Sequence, residues 1–181
     1  MAKLVSSTYA DALFDLAIEN NKTDDWQKEL EAVKAILNEN PDFNKLMSHP
    51  RVLKEERLKL ADEAFDGKVD PEIVGFIRVI IEKDRYSEIN AIFDDFINKV
   101  KTHNGIGVAY VSTASALTEA QKSAVEAKLL ETTEYKSMEM HYTVDDKLIA
   151  GMIIRIGDRV VDSTVRSKLD GLKKQLLETQ V

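Results

Sequence analysis

Three histidines, His49, His103 and His141, are the first residues to test for chemistry, because imidazole is the commonest metal ligand and acid–base group at neutral pH. They fall in a loop, at the end of a long helical region and on a strand. No two share a ligand spacing, and HExxH is absent. The carboxylate pairs Asp24-Asp25, Asp94-Asp95 and Asp145-Asp146 are adjacent in sequence. Neighbours on a helix diverge by about 100°, so these pairs do not converge on one proton. There is no cysteine, which excludes disulfides, thiolate metal sites and a cysteine nucleophile. No serine sits in GxSxG. Met138 and Met140 share a strand face and read as core, as does Trp26 behind a helix start.

One stretch could hold a phosphate. Asp145 to Leu169 reads DDKLIAGMIIRIGDRVVDSTVRSKL, with Gly151 and Gly157 around an apolar run and arginines nearby. A phosphate loop needs close glycines between a strand and a helix N-terminus, usually with a lysine. Here the glycines are six apart, and neither GxxxxGK[ST] nor GxGxxG occurs. The better reading is architectural. Gly157-Asp158 is a two-residue hairpin turn, glycine first as a type II′ turn prefers, joining Met152–Ile156 to Arg159–Val161. Gly151 marks a bulge or a close backbone approach. No catalytic residue, metal or cofactor is expected.

The elements that would position any site fall into two halves. The chain has 181 residues, enough for one domain or two small ones. Before Gly105 there are 15 basic and 21 acidic residues, and after it 10 and 11, so the acidity lies in the first half. A net charge of -7 repels nucleic-acid backbones, and no concentrated basic patch offsets it. No apolar run is long enough to cross a bilayer. The start, MAKLVSSTYADALF, lacks a signal core and an Arg-rich presequence pattern, so a cytosolic protein is expected.

Helical periodicity dominates the first half, with helices expected near 4–20, 24–39, 41–47, 54–65, 71–84 and 87–103. Asp24 with Gln27 fits a capping box. Asn40-Pro41 and Asp70-Pro71 place a cap before a first-turn proline, and Ser87 can cap the next helix. After Asn104-Gly105 the pattern changes. GVAYVST is β-branched, Thr118 with Gln121 opens a helix to about 132, and Met138 to Val144 alternates with period two. Two hairpin strands and a last helix follow, capped by Asp162 or Ser163 and carrying Val165, Leu169, Leu172 and Leu176 as a narrow seam. The expected fold is α+β overall. A six-helix N-terminal bundle over 1–104 precedes a small α+β domain with a mixed β-sheet over 105–181.

GMIIRIGDRVVDSTVRSKLDGL resembles the C-terminal signature of the delta subunit of bacterial F-type ATP synthases, relatives of the mitochondrial oligomycin-sensitivity-conferring protein. The residues that carry it are Arg155, Gly157, Asp158, Asp162, Val165, Leu169 and Leu172. Tyr9-Ala10-x-Ala12-Leu13-Phe14 is similar to the family's first-helix motif. Ser163 departs from the glycine common there and touches turn geometry only. The resemblance spans the whole chain. It implies a non-catalytic stator subunit, peripheral on the cytoplasmic side of the membrane and present in one copy per complex. Its helical domain would hold the N-terminal segment of an ATP synthase alpha subunit. Its second domain would hold the C-terminal helices of the peripheral-stalk b subunits. The alternative is an enzyme or small-ligand binder, which would need a cleft with convergent polar groups. The connector needs no dedicated small-molecule pocket.

Two helices carry more apolar surface than one core face uses. Val5, Tyr9, Ala12, Leu13 and Leu16, with Ala10, Phe14 and Ala17 beside them, cover an arc of roughly 200°, against about 100° for a surface helix. Ile73, Val74, Phe76, Ile77, Val79, Ile80 and Ile81 span roughly 220°. Either both helices are central in the bundle, or a groove between them takes a visiting amphipathic helix. The family's alpha-binding site lies between these same helices, which favours the groove.

Overall fold

The computed structural model describes residues 2–49 and 51–169. It divides the chain into two compact units, 1–100 and 101–181. The class is α+β, with a mixed four-stranded sheet.

The first unit is built from α1 (Ala2–Glu19), α2 (Thr23–Glu39), α3 (Pro41–Met47), α4 (Lys54–Phe65) and α5 (Pro71–Glu82). A single 3-10 turn, Tyr86–Glu88, then leads into α6 (Ile89–His103), whose last residues pass into the second unit. The helical spacing explains the core. Trp26, Leu30, Val33 and Leu37 fall on one face of α2, and all are buried. Ile73, Ile77, Ile80 and Ile81 do the same on α5, and Phe93, Phe96 and Val100 on α6. They join α1's Ala10, Leu13 and Ala17 in one apolar cluster. Edge-to-face pairs, Phe14 with Phe96 and Phe43 with Phe65, brace it, each at 6.4 Å between ring centroids.

The helix ends differ from expectation at three places. α2 opens two residues earlier than the Asp24–Gln27 box requires, with Lys22 at the cap position and no side-chain cap. Lys22 instead pairs with Asp70 across the unit at 2.7 Å. The Asn40 side chain turns back and donates to the Ile36 carbonyl at 2.8 Å, closing α2 rather than opening α3. Ser87 lies inside the 3-10 turn, so it does not cap α6. The Asp70 cap is as expected, its carboxylate accepting from the Glu72 amide at 3.0 Å.

Asp70 therefore anchors α5 through two bonds, and the Lys22 ammonium, chief among them, holds its carboxyl below the ordinary carboxylate range. Because the folded value is depressed, the stabilisation is complete above the unfolded value of about 3.9 and is lost as pH falls through the folded value. Asp70→Asn keeps a capping side chain and removes the charge. Urea melts from pH 6 to pH 2.5 are expected to show this acid loss flattened in the variant. Parallel stability curves for the two proteins would contradict the assignment.

In the second unit β1 (Ile106–Thr113) pairs in parallel with β2 (Ser137–Val144) and antiparallel with β3 (Met152–Ile156). β3 pairs antiparallel with β4 (Arg159–Asp162), giving the order β2-β1-β3-β4. A parallel pair needs a crossover, which α7 (Glu119–Thr132) supplies. α7 opens with the expected box: the Gln121 amide donates to Thr118 Oγ1 at 3.3 Å, and the Thr118 amide donates back to Gln121 Oε1 at 2.9 Å. Ala109, Leu129 and Met138 form the small core, with Val125, Met140, Ile154 and Ile156 against it. Met138 and Met140 are thus core, and the alternation in β2 is a sheet with one covered face.

Candidate partner-binding site

The ten residues expected to form a helix-binding groove separate by burial. Leu13, Ile73, Ile77 and Ile80 face the core at 0–1% exposure. They position the surface without belonging to it. Val5, Tyr9, Leu16 and Phe76 are half-buried, and Ala12 and Val79 are exposed. On α1 the accessible set, Val5, Tyr9, Ala12 and Leu16, is spaced four, three and four, a single straight stripe. On α5 the corresponding residues are Phe76 and Val79. The two helices meet across this surface. The Tyr9 and Phe76 rings pack edge to face at 6.4 Å, 65° apart. Ala12 and Leu16 follow Tyr9 along α1, and Val79 follows Phe76 along α5, at helical spacing.

The charges around the stripe suit a basic visitor. Asp15 and Glu19 lie on the neighbouring outer face of α1, and Glu72 and Glu82 are exposed on α5. Arg78, the basic residue within α5, is bound by Asp62 at 2.7 Å. Lys99 pairs with Asp11 at 2.5 Å. Exposed pairs of this kind add little stability, but they neutralise cations that would otherwise offset the acidic rim.

The family-signature residues make a turn and a cap. Gly157 has φ +55 at the first position of the two-residue loop between Ile156 and Arg159, and Asp158 does not share that sign, as a type II′ turn requires. The Arg155 Nε donates to the Gly157 carbonyl at 3.3 Å. Asp162 was expected to cap the last helix, with Ser163 as the other choice. The cap is instead Thr164, whose hydroxyl accepts from the Ser167 amide at 3.3 Å. Asp162 supports it, accepting from the Thr164 amide at 2.8 Å and the Ser167 hydroxyl at 2.6 Å. These bonds, the Ser167 one foremost, hold the Asp162 carboxyl below its usual range. Residues 165–169 are helical, with Val165 and Leu169 exposed one turn apart. Leu172 and Leu176 lie outside the described residues.

No phosphate loop forms around Gly151. A side chain there would lie 2.7 Å from the Ser163 carbonyl oxygen and from Thr164 Cα, which is the close backbone approach expected. Among the described residues no group of three or more His, Asp and Glu could hold a metal, and no helix is long and apolar enough to cross a membrane.

A family model described as ATP synthase delta (OSCP) subunit matches residues 5–176. The chain belongs to this family. As a delta (OSCP) subunit it is a non-catalytic component of the peripheral stalk, or stator, of an F-type ATP synthase. It is 49% identical to the ATP synthase subunit delta of Lachnoclostridium phytofermentans over the full length of both chains. It is 30% identical to that of Shouchella clausii over 98% of each. A chain of the Toxoplasma gondii mitochondrial ATP synthase hexamer shares the fold, with a TM-score of 0.80 over 95% of this chain and 97% of that one, at 21% identity.

Sequence reasoning missed one feature of the delta subunit. An apolar cavity of about 320 Å³ lies between α2, α3 and the end of α4. The connector reading had no place for a small-molecule pocket. The available signal was Ile36, an apolar residue off the buried stripe of α2, which is 53% exposed at the cavity wall.

Proposed function

We propose that this subunit ties the catalytic head to the stalk by two protein-binding surfaces, one in each unit. The first, over 1–104, captures the amphipathic N-terminal segment of an alpha subunit on the stripe Val5, Tyr9, Ala12, Leu16, Phe76 and Val79. The second, over 105–181, holds the C-terminal helices of the b subunits. A single copy per complex, peripheral on the cytoplasmic side of the membrane, resists the torque of the rotor so that rotation drives catalysis.

The observation that carries the first surface is the Tyr9–Phe76 contact, which joins two half-covered apolar faces into one. Capture draws on apolar burial, worth about 25 cal/mol per Å² removed from water, less the cost of ordering the incoming segment. The acidic rim selects a segment with basic flanks, so affinity falls with added salt. The test is calorimetric titration of the intact chain with a synthetic peptide of the alpha N-terminal segment, at two temperatures. A one-to-one complex with a negative heat-capacity change supports apolar helix capture. No heat at either temperature, with the chain folded, removes this surface and leaves the second unit as the only attachment.

A further inference from the structure

The sheet of the second unit ends on β2, and among the described residues no strand pairs with its outer side. The Ser137 amide donates to the Gly105 carbonyl at 3.4 Å, and the Asp145 amide to the Thr113 carbonyl at 2.9 Å. Odd-numbered residues of β2 therefore turn their backbone groups toward β1. Met138, Met140, Tyr142 and Val144 turn theirs to the free edge. Edge strands are ordinarily guarded by proline, lysine, a bulge or shortness. β4, the opposite edge, is short, with Arg159 at one end and Asp162 at the other. β2 has none of these guards. Its eight residues, SMEMHYTV, hold unbroken register with β1. Its one carboxylate, Glu139, is matched by Lys101 at 2.6 Å.

The side chains select the strand that this edge accepts. Residues opposite each other in a pair must share a face, so one-residue slips are excluded. In an antiparallel pair of β2 strands centred on Met140, that residue meets its own copy, and Met138 meets Tyr142, a thioether against an aromatic ring. Their backbone groups all point into the gap, so these are the hydrogen-bonded pairs. On the other face Glu139 of each strand stands opposite His141 of the other, in the closer, non-hydrogen-bonded pairs. Within one chain Glu139 Oε1 and His141 Nε2 already meet at 3.0 Å. Pairing joins two such contacts into an alternating row. A two-residue slip sets His141 on His141 in one direction and Glu139 on Glu139 in the other. Complementarity thus selects one register, and that register has the two-fold symmetry an isologous contact requires.

We propose that the free edge of β2 binds a second copy of this chain: two β2 strands pair antiparallel, Met140 on Met140 and Glu139 opposite His141, and merge two sheets into one. The contact uses no residue of the proposed alpha-binding stripe. A stalk that takes a single copy requires the pair to separate, so the dimer is a state of the free subunit, and an interface this small holds weakly.

Sedimentation equilibrium of the intact chain, from micromolar to near-millimolar concentration, is expected to show a reversible monomer–dimer equilibrium. His141→Glu sets like charges opposite each other at both symmetry-related positions and is expected to weaken the dimer at least about tenfold. His141→Gln also removes the ring stacked on Tyr110 but keeps a donor for Glu139, and is expected to dimerise close to the parent. His141 is exposed, and unchanged thermal unfolding shows that both variants remain folded. The chain has no cysteine, so single-cysteine variants report the register. Cα atoms of a hydrogen-bonded pair lie about 5.5 Å apart, within disulfide range. Met140→Cys is therefore expected to cross-link on mild oxidation, and Thr143→Cys, opposite Ser137 of the second copy, is not. A monomer at every concentration overturns the proposal. So does a dimer that His141→Glu leaves at parent strength, or one in which folded Met140→Cys fails to cross-link or Thr143→Cys cross-links as readily.

Discussion

Val79→Asp is expected to weaken binding of the alpha N-terminal segment at least thirtyfold, while its thermal unfolding stays within a few degrees of the parent protein. Val79 is 43% exposed, so its side chain contributes little to the folded core. It lies three residues after Phe76 on the same helix, and the Phe76 ring packs on Tyr9. Under a docked helix a carboxylate there would be stripped of water with no partner. Arg78, the basic residue of α5, is already paired with Asp62 at 2.7 Å. A loss of about 2 kcal/mol, typical of a central interface residue, corresponds to roughly a factor of thirty. Ala12→Asp tests the same surface from α1. Leu13→Asp would be a poor substitute. Leu13 is 1% exposed, so the charge would enter the core and unfold the unit whether or not a partner binds. Wild-type affinity in both Val79→Asp and Ala12→Asp would show that the alpha segment sits elsewhere.

Gly151→Ala is expected to destabilise the second unit by about 3 kcal/mol or more, through two costs that add. The residue has φ +97, a conformation an L side chain rarely adopts. The added methyl would also lie 2.7 Å from backbone atoms of Ser163 and Thr164, which cannot swing aside as a side-chain tip can. Two hydrogen bonds straddle this point. The Ser163 amide donates to the Met152 carbonyl at 3.0 Å, and the Val165 amide donates to the Ala150 carbonyl at 3.1 Å. Relief of the clash must pull that pair apart, freeing the residues that lead into the signature helix. Hydrogen exchange is expected to accelerate at Ser163 and Val165 and to stay unchanged in the core of α5 and α6. Stability within about 0.5 kcal/mol of the parent and unchanged exchange at those two amides would mean that the close approach relaxes at little cost.

The residue patterns alone determined the order and type of nearly every element. α3 and α4 begin and end where periodicity and Pro41 place them, and the Thr118–Gln121 box opens α7. The two-residue hairpin at Gly157-Asp158 was equally legible. These features are local. Spacing of apolar residues, a cap three residues from its partner and a turn of defined length are settled by atoms close in the chain. The family was legible for a related reason, since its signature is a contiguous turn and cap.

Tertiary structure decided which of several locally adequate choices was used. Asn40, Ser87 and Asp162 could each cap a helix in the way expected. The first closes the preceding helix, the second sits in a 3-10 turn, and the third supports Thr164. Surplus apolar residues on α1 and α5 indicated a second face but not its members. A 100° step per residue is too coarse to separate Leu13 from Ala12 or Ile80 from Val79 when both flank the same stripe. Only the packed structure drew that line, burying Leu13 and Ile80 and leaving Ala12 and Val79 exposed. The groove along α2 was invisible for the same reason. It is made by residues from three helices, and a gap between them is a property of their distances rather than of their order.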